Sequence, residues 1–321
     1  MGCKRIPIGK YTFTASQVGN LYGCGYGTMF DLYVHYKGLK AEYPQEENEQ
    51  AKLSMEFGHF FEDAVAKFAA HNLGDFKLQK CGTMAYFADD MPYFICHPDR
   101  LVIGLDKQGR RAAIEVKCVQ PFAEGWGEEG TDQIPDNYFF QVQSYYACGV
   151  PCDVVYVACL RGNRVYIYEI LPDKAIIEDI RNRVREAKES FDKGIVPAFE
   201  DFKEQSAYYS KKVNMADEGT GANDEVLELY RSLCDHNGVL AAEEKKVKEL
   251  KGKLIEMLGS SPSFVVTDGK KVRKICYWLE KTTTKTDYKK FEADNPNLNF
   301  DKYRTTSKSR EFRVNYPKEN N

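Results

Sequence analysis

The segment AIEVKCV, residues 113–119, places a carboxylate and an ammonium two positions apart. Strand side chains alternate faces, so Ile114, Val116 and Cys118 share the apolar half while Glu115 and Lys117 share the other. Upstream, DKQG at 106–109 reads as a type I turn with Asp first and Gly last. Residues 93–103 and 111–119 should therefore pair as an antiparallel hairpin. If Asp106 pairs with Gly109, Asp99 lies nearly opposite Val116 and diagonally between Glu115 and Lys117. One Asp, one Glu and one Lys then converge at one end of the hairpin. A hard divalent cation suits this set, because magnesium takes one or two carboxylates and completes its sphere with water and substrate phosphate. Asp99 and Glu115 supply the carboxylates, the Val116 carbonyl lies between Glu115 and Lys117, and Lys117 stands where it orients or helps deprotonate an attacking water. The chemistry is phosphodiester hydrolysis. The same residues also fit an exposed ion cluster of little energetic worth, and the hairpin alone does not separate the two readings.

Two helical segments add candidates. In SMEFGHFFEDAVAKFAAHN, a helix over 54–71 with Ser54 as N-cap, Glu62 falls in a row with Gly58, Ala66 and Ala69. Small side chains let that row approach a sheet, and a carboxylate there needs a partner because unpaired burial is costly. A third metal-site carboxylate meets the need; so does a place at the margin of an amphipathic face. Glu56 and His59 form one E-x-x-H pair with no second copy, which disfavours a di-iron site. In IPDNYFFQVQSYYACG, Tyr138, Gln141 and Tyr145 share a helix face and Gln143 lies on another. A Gln beside aromatics can hold a water or phosphate oxygen, or simply fill a helix.

The elements around these residues alternate in type. A helical region with a Gly-rich turn opens the chain, and the hairpin follows the 54–71 helix. After it come a polar loop over 121–133, a helix over 135–149, a second hairpin turning at Arg161-Gly162-Asn163, and a charged amphipathic helix over 173–193. The domain reading is a first domain over 1–215, a linker over 216–223, a long amphipathic helix over 224–258 and a basic module over 259–321. Val226, Leu233, Leu240, Val247 and Leu254 recur every seven residues along the long helix, a row that packs on the body or pairs as a coiled coil. In the basic module a hairpin over 263–278 and a short strand over 310–316 are expected. No internal repeat is visible.

Charge is uneven. Residues 245–313 hold 18 Lys and Arg against 9 Asp and Glu, or +9, leaving −12 of the net −3 on the remainder. A basic module on an acidic body suggests a polyanionic partner, with Lys270, Lys271, Arg273 and Lys274 neutralising phosphates. No apolar run is long enough for a bilayer and no signal-peptide pattern opens the chain, so no membrane role and a cytoplasmic location are expected. The 10 cysteines are scattered with no C-x-x-C, which reads as reduced core thiols rather than a metal or iron–sulfur site.

Taken in order, G-x-x-x-E (Gly58 to Glu62), P-D (Pro98-Asp99), E-x-K (Glu115 to Lys117) and Y-x-x-Q-x-Q (Tyr138, Gln141, Gln143), preceded by Thr14-Ala15-Ser16, resemble the PD-(D/E)xK nucleases. Within them the likeness is specifically to the phage lambda exonuclease and YqaJ-type viral recombinase family. The resemblance implies an α/β fold with a restriction-endonuclease-like core, a mixed β-sheet flanked by helices, carrying here a C-terminal long helix and a small basic β-containing module. It also implies Mg²⁺, with Mn²⁺ able to substitute, held by Glu62, Asp99, Glu115 and the Val116 carbonyl. Glu62, Asp99, Glu115, Lys117 and Gln141 become catalytic residues, and Ser16, Lys10, Tyr138 and Gln143 DNA contacts. Relatives digest the 5′-ended strand of linear duplex DNA and pass the exposed strand to an annealing protein for recombination, as ring-shaped trimers. The family's phosphate-holding arginine ahead of T-A-S falls here on Gly9, with Lys10 adjacent and Arg5 further back. Two other readings stand beside this one: a RecB-like or CRISPR-associated nuclease of the same superfamily, and a non-catalytic DNA-binding module.

Overall fold

Pro98 divides the first expected strand. A proline cannot donate to a ladder, and residues 93–103 form two short strands instead of one, with Asp99 in the break between them. The computed structural model describes residues 2–4, 12–43, 49–81, 85–213, 220–268, 271–278, 280, 282, 290–291 and 294–295. The chain divides into two units, Met1–Lys211 and Lys212–Asn321.

In the first unit, strand β1 (Gly2–Lys4) pairs antiparallel with β4 (Ala85–Phe87), and β2 (Phe13–Thr14) pairs parallel with β5 (Phe94–Ile95). A 3-10 helix, Ala15–Tyr22, and α1 (Met29–Lys37) fill the helical N-terminal region, α1 opening on a Thr28/Asp31 capping box. The 26-residue α2 (Glu49–Gly74) follows. Five strands make the central sheet in the order β3 (Lys77–Lys80), β6 (Arg100–Ile103), β7 (Ala112–Val119), β8 (Val154–Arg161) and β9 (Arg164–Ile170). Only β7 and β8 are parallel; the other neighbours are antiparallel. The sheet is therefore mixed and flanked by helices, as expected. Helix α3 (Asp136–Ala147) makes the crossover between the parallel pair, and α4 (Lys174–Asp192) and α5 (Phe202–Ser210) complete the unit.

One face of the sheet packs on α2 through Val65, Ala66, Ala69 and Ala70 against Ala112, Ile114, Val116, Val154, Tyr156 and Ala158. The other face, through Ala113, Val155, Val157 and Cys159, packs on Val142 and Tyr145 of α3 and Ile180 and Val184 of α4. With both faces covered, β7 and β8 read as nearly continuous buried runs. The described cysteines are free thiols, and burial pushes those of Cys152 and Cys159 up to about 12. No helix among the described residues is long and apolar enough to cross a membrane.

Three local expectations need correction. Helix α2 begins at Glu49, five residues before the expected cap; Ser54 lies inside it and donates to the Gln50 carbonyl at 2.8 Å. Ala66 and Ala69 do face the sheet, but nothing stands within 4 Å of a Cβ built on Gly58, so the close-packing row stops short of it. The hairpin register is shifted by one: Arg100 pairs with Ile114 and Leu101 with Ala113, which puts Asp99 across from Glu115 rather than Val116. The cause is the turn. Gly109 N donates to Asp106 O at 3.0 Å, while Asp106 N bonds to Arg110 O at 2.8 Å, and Gly109 has φ of 78°. This is a type I turn closed by a left-handed glycine bulge, which adds one residue to the return strand.

In the second unit, α6 (Asp224–Leu258) is capped by Asn223, whose side chain accepts from Val226 N, and α6 ends at Gly259. Strands β10 (Ser263–Asp268) and β11 (Lys271–Tyr277) form an antiparallel hairpin with a bulge at Phe264/Val265. The strand expected over 310–316 lies outside the described residues.

Candidate active site

Glu115 is only 3% exposed, at the middle of β7. A buried carboxylate needs several donors, and three are present. Its Oε1 accepts from Lys117 Nζ at 2.8 Å and from Gln141 Nε2 at 2.8 Å, and its Oε2 accepts from the Tyr145 hydroxyl at 2.5 Å. Lys117 Nζ also donates to Gln141 Oε1 at 3.0 Å, closing a ring of three side chains. Gln141 and Tyr145 are four apart on α3, so one helix face delivers both to the strand. Pro135 precedes the first turn of that helix, and Gly149 just past its end has φ of 78°.

Aromatic groups wall the lysine. Its ammonium stands 4.8 Å from the Tyr138 ring centroid. The Tyr138 hydroxyl meets the Tyr26 hydroxyl at 2.5 Å, and Trp126 packs on Tyr138 with ring centroids 5.5 Å apart. Burial alone would lower the Lys117 pKa, but the Glu115 carboxylate and then Asp99 outweigh it and raise it above the ordinary lysine value. Lys117 thus stands as a hydrogen-bond donor to both Glu115 and Gln141.

Asp99 reaches this group from the β6 side. Its Oδ2 accepts from Val116 N at 2.8 Å. In a strand the N–H and C=O of one residue point to the same side, so the Val116 carbonyl projects toward Asp99 as well. The Asp99 carboxyl is pushed up to about 8, chiefly by burial and then by the charge of Glu115. Two carboxylates crowded beside a backbone carbonyl are a donor set that fits one hard divalent cation. Among the described residues, however, no three His, Cys, Asp or Glu side chains stand together as a ligand cluster. The fit is to two carboxylates and a carbonyl.

The carboxylate left out is Glu62. It does have the partner its position demands, but that partner is Arg100, whose Nη1 donates to Glu62 Oε1 at 2.6 Å and to the Asp99 carbonyl at 2.7 Å. Nη2 of the same guanidinium reaches Asp63 at 3.3 Å, and Arg100 is 2% exposed. Glu62 therefore stands beside the Asp99 turn as half of an ion pair. Gln143 also needs correction. It is fully buried, with Nε2 on the Leu171 carbonyl at 2.9 Å and Oε1 on Asp173 N at 3.0 Å. Its amide fastens the connection from β9 to α4 and has no surface to offer DNA.

Ser16 is exposed and lines, with Gln17, Tyr26, His35 and Lys40, a cleft of about 400 Å³ that adjoins the site through Tyr26. Lys10 and Lys270 lie outside the described residues, as does the side chain of Lys271. Arg273 and Lys274 are exposed on β11. Sequence reasoning missed Arg100, although it directly follows Pro98-Asp99, and Tyr26, whose only signal was its place in the Gly-rich turn GCGYG.

The elevated Asp99 value has a sign that can be tested. An unfolded carboxyl titrates near 3.9, whereas the folded chain keeps this proton up to about pH 8. Folding therefore binds a proton in that window, and stability falls as pH rises from about 4 to about 8. In chelator, the thermal midpoint of the native chain should decline more steeply between pH 5 and 8 than that of Asp99→Asn. Equal slopes would remove the assignment.

Residues 8–149 match the model of the YqaJ-like viral recombinase domain. None of the curated proteins matches the chain. Among solved structures, the alkaline exonuclease LHK-Exo from Laribacter hongkongensis is similar at 18% identity, over 62% of this chain and 95% of that one, with a TM-score of 0.42. A phage-related exonuclease from Haemophilus somnus 129PT is similar at 15% identity, over 57% and 95%, with a TM-score of 0.38. By its ordered motifs and this family match, residues 8–149 of the chain are similar to the YqaJ-like viral recombinase domain.

Proposed function

We propose that the chain is a Mg²⁺-dependent exonuclease that hydrolyses linear duplex DNA from its ends, removing the 5′-ended strand and exposing its complement for phage or prophage recombination. The observation that carries this reading is the Glu115–Lys117–Gln141 ring beside Asp99, where the lysine ammonium is held against the Glu115 carboxylate. A bound Mg²⁺, with Mn²⁺ as its substitute, supplies Lewis-acid stabilisation of the phosphoryl oxygens; Asp99, Glu115 and the Val116 carbonyl would hold it. Glu62 joins that set only by leaving Arg100.

The remaining roles belong to the chain itself. Lys117 donates to the attacking water or to a phosphate oxygen and balances charge as it develops. Gln141 fixes the lysine and the carboxylate relative to each other, and Tyr145 anchors the second oxygen of Glu115. Tyr138 and Tyr26 wall the lysine, where Tyr138 can also face a base or sugar. Ser16, exposed beside the Tyr26 cleft, contacts the terminal nucleotide, and Lys10 shares that role on the strength of the sequence alone. Arg273 and Lys274, with Lys270 and Lys271, bring duplex to the enzyme by neutralising phosphates, so binding weakens as salt rises. An annealing protein receives the product strand, and the chain acts as a homo-oligomer, a trimer by its family likeness.

The test is a timed digestion of linear duplex labelled at either the 5′ or the 3′ ends. In magnesium, label should leave the 5′ ends as mononucleotide from the first time points; in calcium, DNA should bind and stay intact. Persistence of both labels in magnesium would end the reading.

A further inference from the structure

Within the second unit, a groove of about 190 Å³ opens between the C-terminal end of α6 and β11. Lys251, Leu254, Ile255 and Leu258 line one wall; Cys276, Tyr277 and Trp278 line the other. It is smaller than the roughly 300–1,000 Å³ of ordinary small-molecule pockets, so it admits one flat ring system rather than a whole ligand. Leu258 closes the floor, 6% exposed, while Tyr277 and Trp278 keep 56% and 59% of their surface open. The local structure holds them so. The bulge at Phe264/Val265 re-aims β11 just before Tyr277, and Trp278 N bonds to the Pro262 carbonyl at 2.9 Å.

Two lysines flank these rings. Lys274 Nζ lies 5.6 Å from the Tyr277 ring centroid, and Lys248 shares the helix face of Lys251 one turn earlier. Residues 245–278 contain 9 Lys and Arg against 3 Asp and Glu. Open aromatic faces flanked by Lys251 and Lys274 call for a partner that offers flat rings on a polyanionic thread. A duplex offers the thread but hides its base faces in the stack; a single strand offers both.

We infer that this groove binds single-stranded DNA, stacking an unpaired base on Trp278 and Tyr277 while Lys251 and Lys274 meet the flanking phosphates. The inference rests on the reading of the first unit as an end-resecting nuclease, since that activity makes the strand. The second unit then holds the product, not only the incoming duplex.

The chain has two tryptophans, Trp126 and Trp278, so Trp126→Phe in the full chain leaves Trp278 as the single reporter. In chelator, which keeps DNA intact, oligodeoxythymidylate should quench its emission saturably, with an apparent Kd at least about tenfold below that for blunt duplex of equal length. By anisotropy of a labelled oligonucleotide, Trp278→Ala should weaken binding about tenfold, within the range of one lost base stack, and Trp278→Phe should retain it. No saturable quenching, equal response to duplex, or equal response to polyglutamate would overturn the inference. Failure of the nuclease reading would appear separately, as undigested duplex in magnesium with the quenching unchanged.

Discussion

Glu115→Gln lowers cleavage of linear duplex in magnesium by about 10³-fold or more, at the upper end of what loss of one preorganised electrostatic group costs, while the chain stays folded. The substitution keeps shape and removes charge. Glu115 now accepts from Lys117, Gln141 and Tyr145 at once; a glutamine turns one of those two acceptor positions into a donor and sets it against another donor. The damage reaches two neighbours. Without the adjoining carboxylate, burial pulls the Lys117 pKa down and its fixed charge weakens. Asp99 loses the like charge that helps raise its own value, and with it the partner for a shared cation. Timed release of 5′ label measures the rate, and a thermal scan of the same sample checks the fold. Activity within tenfold of the native chain would remove Glu115 from the chemistry.

Arg100→Met should cost about 3 kcal/mol of stability, the lower end of the range for breaking a buried ion pair, since Glu62 keeps some contact with water. Arg100 is buried at the start of β6 and binds three groups: Glu62 and Asp63 on α2 and the carbonyl of Asp99 in the break before the strand. Removing the guanidinium leaves a shielded carboxylate and a backbone acceptor without their partner. Glu62→Gln added to Arg100→Met should recover part of the loss, because the orphaned charge is then gone. Urea unfolding of the two single variants and the double variant gives the coupling. A loss below about 1 kcal/mol for Arg100→Met would reduce the pair to surface rank.

The hairpin and its polar face were readable from 106–109 and AIEVKCV, because turn chemistry and strand alternation are local. The register was not, since the residue that shifts it is a bulge glycine whose φ is invisible in the letters. Gln141 and Tyr145 were legible as neighbours on one helix face. Gln143 misled because α3 is buried on two sides, one against the sheet and one against the connection to α4, and an amide on either side looks alike in sequence. Glu62 drew the right question, which charge compensates it, but the partner it meets in the structure, Arg100, was not foreseen. Arg100 lies 38 residues away in the chain, and only the packing of α2 on the sheet brings them together. The long helix over 224–258 was plain from its heptad spacing.

The crossover helix α3 has a consequence for the order of assembly. It is the segment that makes β7 and β8 parallel, and it also carries Gln141 and Tyr145 to Glu115. Parallel pairing closes a long loop and is intrinsically slow, whereas the 100–119 hairpin forms locally. The acidic pair thus comes from a local hairpin, and its hydrogen-bond partners come from the segment that closes the long loop.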